Sequence, residues 1–396
     1  MEAANGRCAS CGEPLPDSSS TCASCGADVH RVARPTKGVF LILILLLIVG
    51  FVITGTIARG FEARQQQLAE RWFARGNRDL QRGAPAQAVD EFQTALAYAR
   101  DNDAFRLRLA LALMQAGRED EARVHLVNLW EARPGDANVN LQLARVMARL
   151  GHSQDAIRYY HGAIYGVWDA ESLAKRQAAR FELARYLLST RQANAAESEL
   201  IALADETPSA PQEQIQLADM LMEAGDPWRA LGTYLRVPKG QHDAVANLGA
   251  ARAAFAMSRL GDARQYARDA LRIDPKLTEA SSIEAESDSL LKADPLAGNL
   301  STRDRAERAM AAYGAASERA KACAGVSSDS TVQQLFEAQQ SQFKGLGAPA
   351  LQRNPDLLQE AVQWVYRVEK ATAGPCGAPT GLDATLLTLA RMKGTS

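Results

Sequence analysis

From residue 69 the chain repeats itself with a period of 34 residues, and no other feature restricts its fold so strongly. Counted from Ala69, small residues fall at positions 8, 20 and 27 (Gly76, Ala88, Ala95), with Gly83 at 15 and Phe92 at 24. Counted from Asp103, Leu109 and Ala110 hold positions 7 and 8. Gly117, Ala122, Leu126 and Pro134 hold 15, 20, 24 and 32. From Ala137 the series is Leu143, Ala144, Gly151, Ala156, Tyr160 and Ala163. A fourth unit begins near Gln177, after an insertion of six residues, with Leu183, Ala184, Ala196, Leu200 and Pro208 in place. A fifth begins at Pro211, with Leu217, Ala218, Gly225, Ala230 and Tyr234. A sixth is expected around Gly261, Ala270 and Pro275, with a turn about three residues short. The pattern prescribes helical hairpins. Small residues let two antiparallel helices approach, a glycine ends the first in a left-handed cap, and a proline stops the second. One hairpin cannot bury its own apolar face, so the hairpins must stack. Only 6% of the residues are aromatic, which agrees with helix over sheet.

This pattern resembles the tetratricopeptide repeat family over about 205 residues, 69–275. The resemblance implies a right-handed solenoid whose concave face holds a protein or peptide partner, lined by positions 2, 5, 9, 12 and 13 of each first helix. Those positions give Phe73 and Asn77, then Leu107 and Leu111, then Leu141, Arg145 and Arg149, then Phe181 and Arg185. Family members that grip a C-terminal carboxylate pair a lysine at 5 with an asparagine at 9. Here Asn77 follows Phe73, so that mode is not expected. Arg145, Arg149 and Arg185 form a basic step suited to an acidic or phosphate-bearing segment, or else a set of solvated and intramolecular pairs.

Residues 38–58 are an uncharged apolar run of 21 residues, about 31 Å as a helix and so long enough to cross a bilayer core once. A buried core helix or a signal peptide is the alternative. The 37 preceding residues and the poor cleavage sequence at Thr54-Gly55-Thr56 argue against a signal. Residues 59–68 read as a helical stalk, and 31–37 as a basic linker.

Residues 1–30 carry Cys8-Ala-Ser-Cys11-Gly12 and Cys22-Ala-Ser-Cys25-Gly26, ten residues apart. Two such pairs can give four thiolates to one tetrahedral Zn²⁺, and so short a segment needs the metal to fold. An iron–sulfur cluster, a redox dithiol or disulfides would use the same residues. The segment resembles a short bacterial zinc ribbon, which implies a structural ion. Four thiolates leave no open position for catalysis.

Charge does not orient the apolar run, because Arg31, Arg34 and Lys37 precede it and Arg59, Arg64, Arg71 and Arg75 follow it. Cysteine chemistry does. Thiolate–zinc centres suit a reducing cytosol, and an isolated pair, Cys323 and Cys376, suits an oxidising compartment. The expectation is a bacterial inner-membrane protein with a cytosolic N-terminus and its bulk on the periplasmic side. Cys323 and Cys376 are expected to form a disulfide, the alternative being two buried thiols. Residues 276–396 read as a helical cap, with helices over 277–292, 302–322, 355–371 and 382–392.

The expected fold is therefore all-α, a helical solenoid with a distal helical cap behind one membrane helix and a small zinc ribbon. A net charge of −1 gives no field for nucleic acid. No phosphate loop, Ser/His/Asp set or second metal-ligand cluster appears, and His125, His152, His161 and His242 fall within repeats. The expectation is a non-enzymatic membrane-anchored scaffold for protein partners, with no catalytic residue and no small-molecule substrate. The competing function is a transmembrane regulator coupling the ribbon to partner binding.

Overall fold

The computed structural model describes residues 7–8, 10–16, 19–28, 37–169, 172–206, 210–240, 243–298 and 300–394. Arg31 and Arg34 of the basic linker, Pro208 and His242 lie outside the described residues. Among the described residues there are eighteen helices and no strand, only three isolated bridges. The chain divides into two compact units, 1–129 and 130–396.

In the first unit α1 spans Lys37–Gln81, 45 residues, about 68 Å at the usual rise. The apolar run, the stalk and the first helix of the first repeat are thus one uninterrupted helix, and Gly60 does not break it. Helix α2 (Pro85–Tyr98) packs back on α1, and α3 (Asp103–Gln115) packs on α2. Helix α4 (Glu119–Ala132) follows. The close approach of α1 and α2 depends on Gly76, since a Cβ there would lie 2.8 Å from the Phe92 ring. Phe92, Leu109 and Leu126, the large residues of the pattern, are fully buried.

The second unit continues with α5 (Ala137–Arg149) and α6 (Ser153–Tyr165), then α7 (Ser172–Ser189) and α8 (Ala193–Glu206). Next come α9 (Pro211–Ala224) and α10 (Pro227–Arg236), then α11 (Asp243–Ala256) and α12 (Leu260–Ile273). The residues between α6 and α7 are strapped to the loop before α5. Val167 N donates to Gly135 O at 2.9 Å, and Ala137 N to Val167 O at 3.1 Å. The strap leaves no room at Gly166, where a Cβ would meet Gly162 O at 2.4 Å.

All six hairpins turn in the same way. Gly83, Gly117, Gly151 and Gly225 have φ between +73° and +91°, and Arg191 (59°) and Ser258 (60°) hold the equivalent places. In every case the next residue donates its N–H to the carbonyl five residues back. The pairs are 84 to 79, 118 to 113, 152 to 147, 192 to 187, 226 to 221 and 259 to 254. This is the Schellman closure of a helix end. It corrects the expectation of a shortened sixth turn. Ser258, not a glycine near 261, makes that turn, and Gly261 lies inside α12. Counted from Ala244 the sixth repeat keeps the full period, with Ala251, Ala263, Ala270 and Pro275 at positions 8, 20, 27 and 32.

Helix α13 (Thr278–Ala293) begins one further period on and packs against α12 as the first helix of another unit would. Beyond it lie α14 (Thr302–Ala324), α15 (Ser330–Gln342), α16 (Ala348–Arg353), α17 (Pro355–Thr372) and α18 (Gly381–Lys393). They surround Trp364, which is fully buried against the rings of Tyr313 and Phe343. Its indole N–H donates to Leu335 O at 3.0 Å. Helices α15 and α16 occupy a glutamine-rich stretch in which the sequence pattern announces no helix. Val332 and Leu335 are the buried residues of α15, too few to mark a periodicity.

Candidate functional site

Four features carry the chemistry the sequence singles out. The first is the cysteine pair of pairs. Cys8 N donates to Glu13 O and Gly12 N to Cys8 O; Cys22 N donates to Ala27 O and Gly26 N to Cys22 O. The two loops are the same knuckle twice, closed by Gly12 (φ 77°) and Gly26 (φ 70°) in the left-handed region. Leu15 and Ala27 supply almost all the apolar packing beside the cysteines, so burial alone holds little here. The four sulfurs lie within 4.8 Å of one another, with Cys8–Cys25 and Cys11–Cys22 at 3.6 Å. Four thiolates about 2.3 Å from one ion would stand about 3.8 Å apart, so the geometry fits a tetrahedral metal. Electrostatics point the same way. Backbone N–H groups of Ser10 and Cys11 hold the Cys8 thiol down at about 6. At Cys11 the Glu13 N–H also favours the thiolate, but hydrogen bonds with Cys25 and Cys22 outweigh it and push the group up to about 12. One thiolate forms readily and the next is resisted, which is the behaviour of a cluster that needs a cation to ionise together.

The second feature is the surface of α1. From Val39 to Phe61 its large apolar side chains are exposed, Phe51 by 82%. An 18-residue window of α1 has mean hydropathy 3.0 and no buried residue. The only hydroxyls in this stretch bond back to the helix itself, Thr54 Oγ1 to Gly50 O and Thr56 Oγ1 to Ile53 O, both at 2.9 Å. Over residues 39–58 the surface therefore presents no unsatisfied polar side chain to whatever covers it.

The third is the lining of the repeats. In the first unit Phe73 stacks on Phe105 with centroids 4.4 Å apart, so it packs between repeats and does not stand open. Asn77 donates to Phe73 O at 3.1 Å. Leu107 and Leu111 are half-buried. In the second unit Leu141 and Phe181 are buried at 7% exposure, again as packing. Arg145 is spent inside the chain. Its guanidinium forks onto the Glu182 carboxylate, with Nε to Oε2 at 2.8 Å and Nη2 to Oε1, and Nη1 donates to Gln142 at 3.2 Å. Those bonds hold its pKa above the ordinary arginine value against the pull of burial. Arg145 of the basic step is thus taken into an inter-repeat pair; Arg149, which has a partner of its own, and Arg185 are exposed. Sequence reasoning missed Glu182. Nothing local links two residues 37 apart, although Glu182 sits three residues from Arg185 on the same helix.

In the distal bundle Cys323, at the end of α14, is joined to Cys376, after α17, with Cα atoms 5.6 Å apart. Beside it Arg319 Nε donates to Thr372 Oγ1 and Nη2 to Gly377 O, both at 2.7 Å. Glu369 is fully buried 3.6 Å from Arg319. Burial, reinforced by the charge of Asp383 and opposed by Arg319, pushes its carboxyl up to about 7. The sequence gives no sign of this buried acid.

A tetratricopeptide repeat family model matches residues 79–130, the stretch from the end of α1 through α4. Tetratricopeptide repeats mediate protein–protein interactions, and the repeated hairpins and their common turn define an all-α solenoid of this kind. Among solved structures, the Pseudomonas aeruginosa protein pilF is 17% identical and covers 56% of this chain and 99% of its own, with a TM-score of 0.38. The C-terminal part of a repeat-containing protein from Cytophaga hutchinsonii is 14% identical, covering 60% and 93%, with a TM-score of 0.44. YrrB, described as a repeat protein with an unusual peptide-binding site, is 15% identical, covering 49% and 97%, with a TM-score of 0.39. At these identities the likeness extends to stacked helical hairpins and no further. No curated protein matches the chain.

Proposed function

We propose that this chain is a membrane-anchored, non-enzymatic scaffold that gathers protein partners on its repeats. The observation that carries the reading is α1, a single helix that is apolar and exposed over residues 38–58 and then becomes the first helix of the first repeat. Nothing but a bilayer or an equally apolar partner would cover an uncharged surface of that length without cost. In this reading residues 38–58 span the bacterial inner membrane once. The cysteine knuckles lie in the cytosol, where thiolates stay reduced, and the repeats and distal bundle lie on the periplasmic side. The 5.6 Å Cα separation of Cys323 and Cys376 supports an oxidising location for that end.

Cys8, Cys11, Cys22 and Cys25 would hold one structural Zn²⁺, which supplies the folding free energy that Leu15 and Ala27 alone cannot. Leu107 and Leu111 are the proposed protein or peptide contacts of the first unit and, separately, Arg149 and Arg185 those of the second, with Arg145 kept for the Glu182 pair. No nucleic acid or small-molecule substrate belongs to this reading.

Two measurements test it. In intact cells, a membrane-impermeant maleimide should leave Cys8 to Cys25 unlabelled even after metal is stripped, while Cys323 and Cys376 become reactive only after reduction. Labelling of the knuckle cysteines from outside would overturn the topology. The purified chain should carry about one zinc per molecule, lost on Cys11→Ser. Iron or sulfide in its place would overturn the choice of metal.

A further inference from the structure

Helices α15 and α17 leave a cleft of about 580 Å³ between them in the distal bundle. One wall is Gln334 and Gln342 of α15, the other Arg367 and Lys370 of α17, and Leu335 and Ala338 contribute to an apolar floor. No carboxylate lines it. Several cations elsewhere in the bundle are held by partners within the chain. Arg303 is held by Glu307, Arg308 by Leu291 O, Arg319 by Thr372 and Gly377, Arg353 by Pro349 O, and Lys393 by Asp294. Arg367 and Lys370 are both exposed, and among the described residues no ion pair holds either; Lys370 Nζ reaches close to the backbone at Gly394.

We propose that this cleft is a docking site for an acidic amphipathic segment of a partner protein, distinct in its residues from the repeat lining. Residues 334 to 342 rise about 12 Å along α15, the length of two helical turns of a ligand. The two cations on one wall suit carboxylates spaced one turn apart, because Arg367 and Lys370 are themselves one turn apart. The opposite amides can both donate and accept, as a peptide flank requires. The floor decides between ligand classes. A free phosphate or a nucleic-acid backbone would use the cations and leave Leu335 and Ala338 against water. A segment with apolar residues at helical spacing covers them and meets the cations at once.

The test uses the full chain in detergent micelles and a fluorescein-labelled helical peptide of about 14 residues, leucine on one face and glutamate on the other, read by anisotropy. Binding is expected, falling about tenfold or more in the double variant Arg367→Glu, Lys370→Glu. Ala338→Trp, which fills the floor and leaves both charges, should weaken it comparably. A peptide with its leucines changed to serine should bind at least about tenfold more weakly. Arg303→Ala, which removes a cation of the same bundle that Glu307 already holds, should leave the affinity unchanged, which separates the cleft cations from the general charge of the bundle. The proposal is overturned if the parent does not bind, if either cleft variant binds as the parent does, or if the serine peptide, inorganic phosphate or anionic vesicles compete as well as the leucine peptide.

Discussion

The repeats of α1 to α12 and the bundle of α14 to α18 are both stacks of short helices, and they are held together in opposite ways. In the repeats the fixed elements are small. Alanines at positions 8, 20 and 27 are fully buried, and one backbone turn recurs six times. No single side chain dominates. In the bundle the order is reversed: Trp364 with Tyr313 and Phe343 fills the centre, and Cys323 and Arg319 tie down the segment after α17. A periodic structure spreads its stability over equivalent contacts, whereas a non-periodic one concentrates it in a few.

The largest effect that would break this contrast is expected at Trp364. Trp364→Ala removes a fully buried ring and a hydrogen bond, and should destabilise the bundle by about 3–5 kcal/mol. Hydrogen exchange would then rise throughout α14 to α18 while the amides of α5 to α8 keep their protection. A loss spread evenly over both regions would show that the two are not separately held.

A smaller effect is expected from pH. The carboxyl of Glu369 is raised in the folded chain, from 4.5 to about 7. The folded state therefore binds its proton more tightly than the unfolded state does. The stability this contributes is complete below pH 4.5 and is lost as pH rises towards 7, by an amount on the order of 3 kcal/mol at most. Opening of α17 in hydrogen exchange, corrected for intrinsic rates, should be rarer at pH 5 than at pH 8. In Glu369→Gln that difference should shrink. An unchanged pH profile in the variant would place the titrating group elsewhere.

The smallest effect belongs to the turns. Arg191 and Ser258 hold left-handed backbone that the other four hairpins give to glycine. Arg191→Gly should stabilise its hairpin by about 0.5–1 kcal/mol, the relief of the Cβ contact less the added freedom of the unfolded chain. Thermal unfolding that moves down rather than up would mean the Arg191 side chain contributes more than its backbone costs.

Sequence and structure agree where the physics is periodic and part where it is not. Ala110, Ala144 and Ala184 could be placed on a helix interface because the spacing of 34 residues alone puts them there. The sixth turn was misplaced for a definite reason. Gly261 looks like the cap glycine, while Ser258 carries the conformation without the residue that usually advertises it. The cysteine cluster was legible because its ligands are near neighbours in sequence. The Arg145–Glu182 pair and the buried Glu369 were not, since both depend on residues from different helices meeting in space. Helix α15 shows little apolar pattern, because most of its faces meet solvent and only two of its residues are buried.

The continuity of α1 fixes an angle as well as a distance. Each helical residue turns the chain by about 100° and advances it by about 1.5 Å, so the ten residues 59–68 act as a keyed shaft between the apolar stretch and the first hairpin. One residue added there would swing that hairpin by more than a quarter of a circle at nearly constant height. Seven added residues would bring it back to within about 20° of its original bearing, about 10 Å further out. Facing and reach are thereby separable, and the number of residues in the shaft sets both.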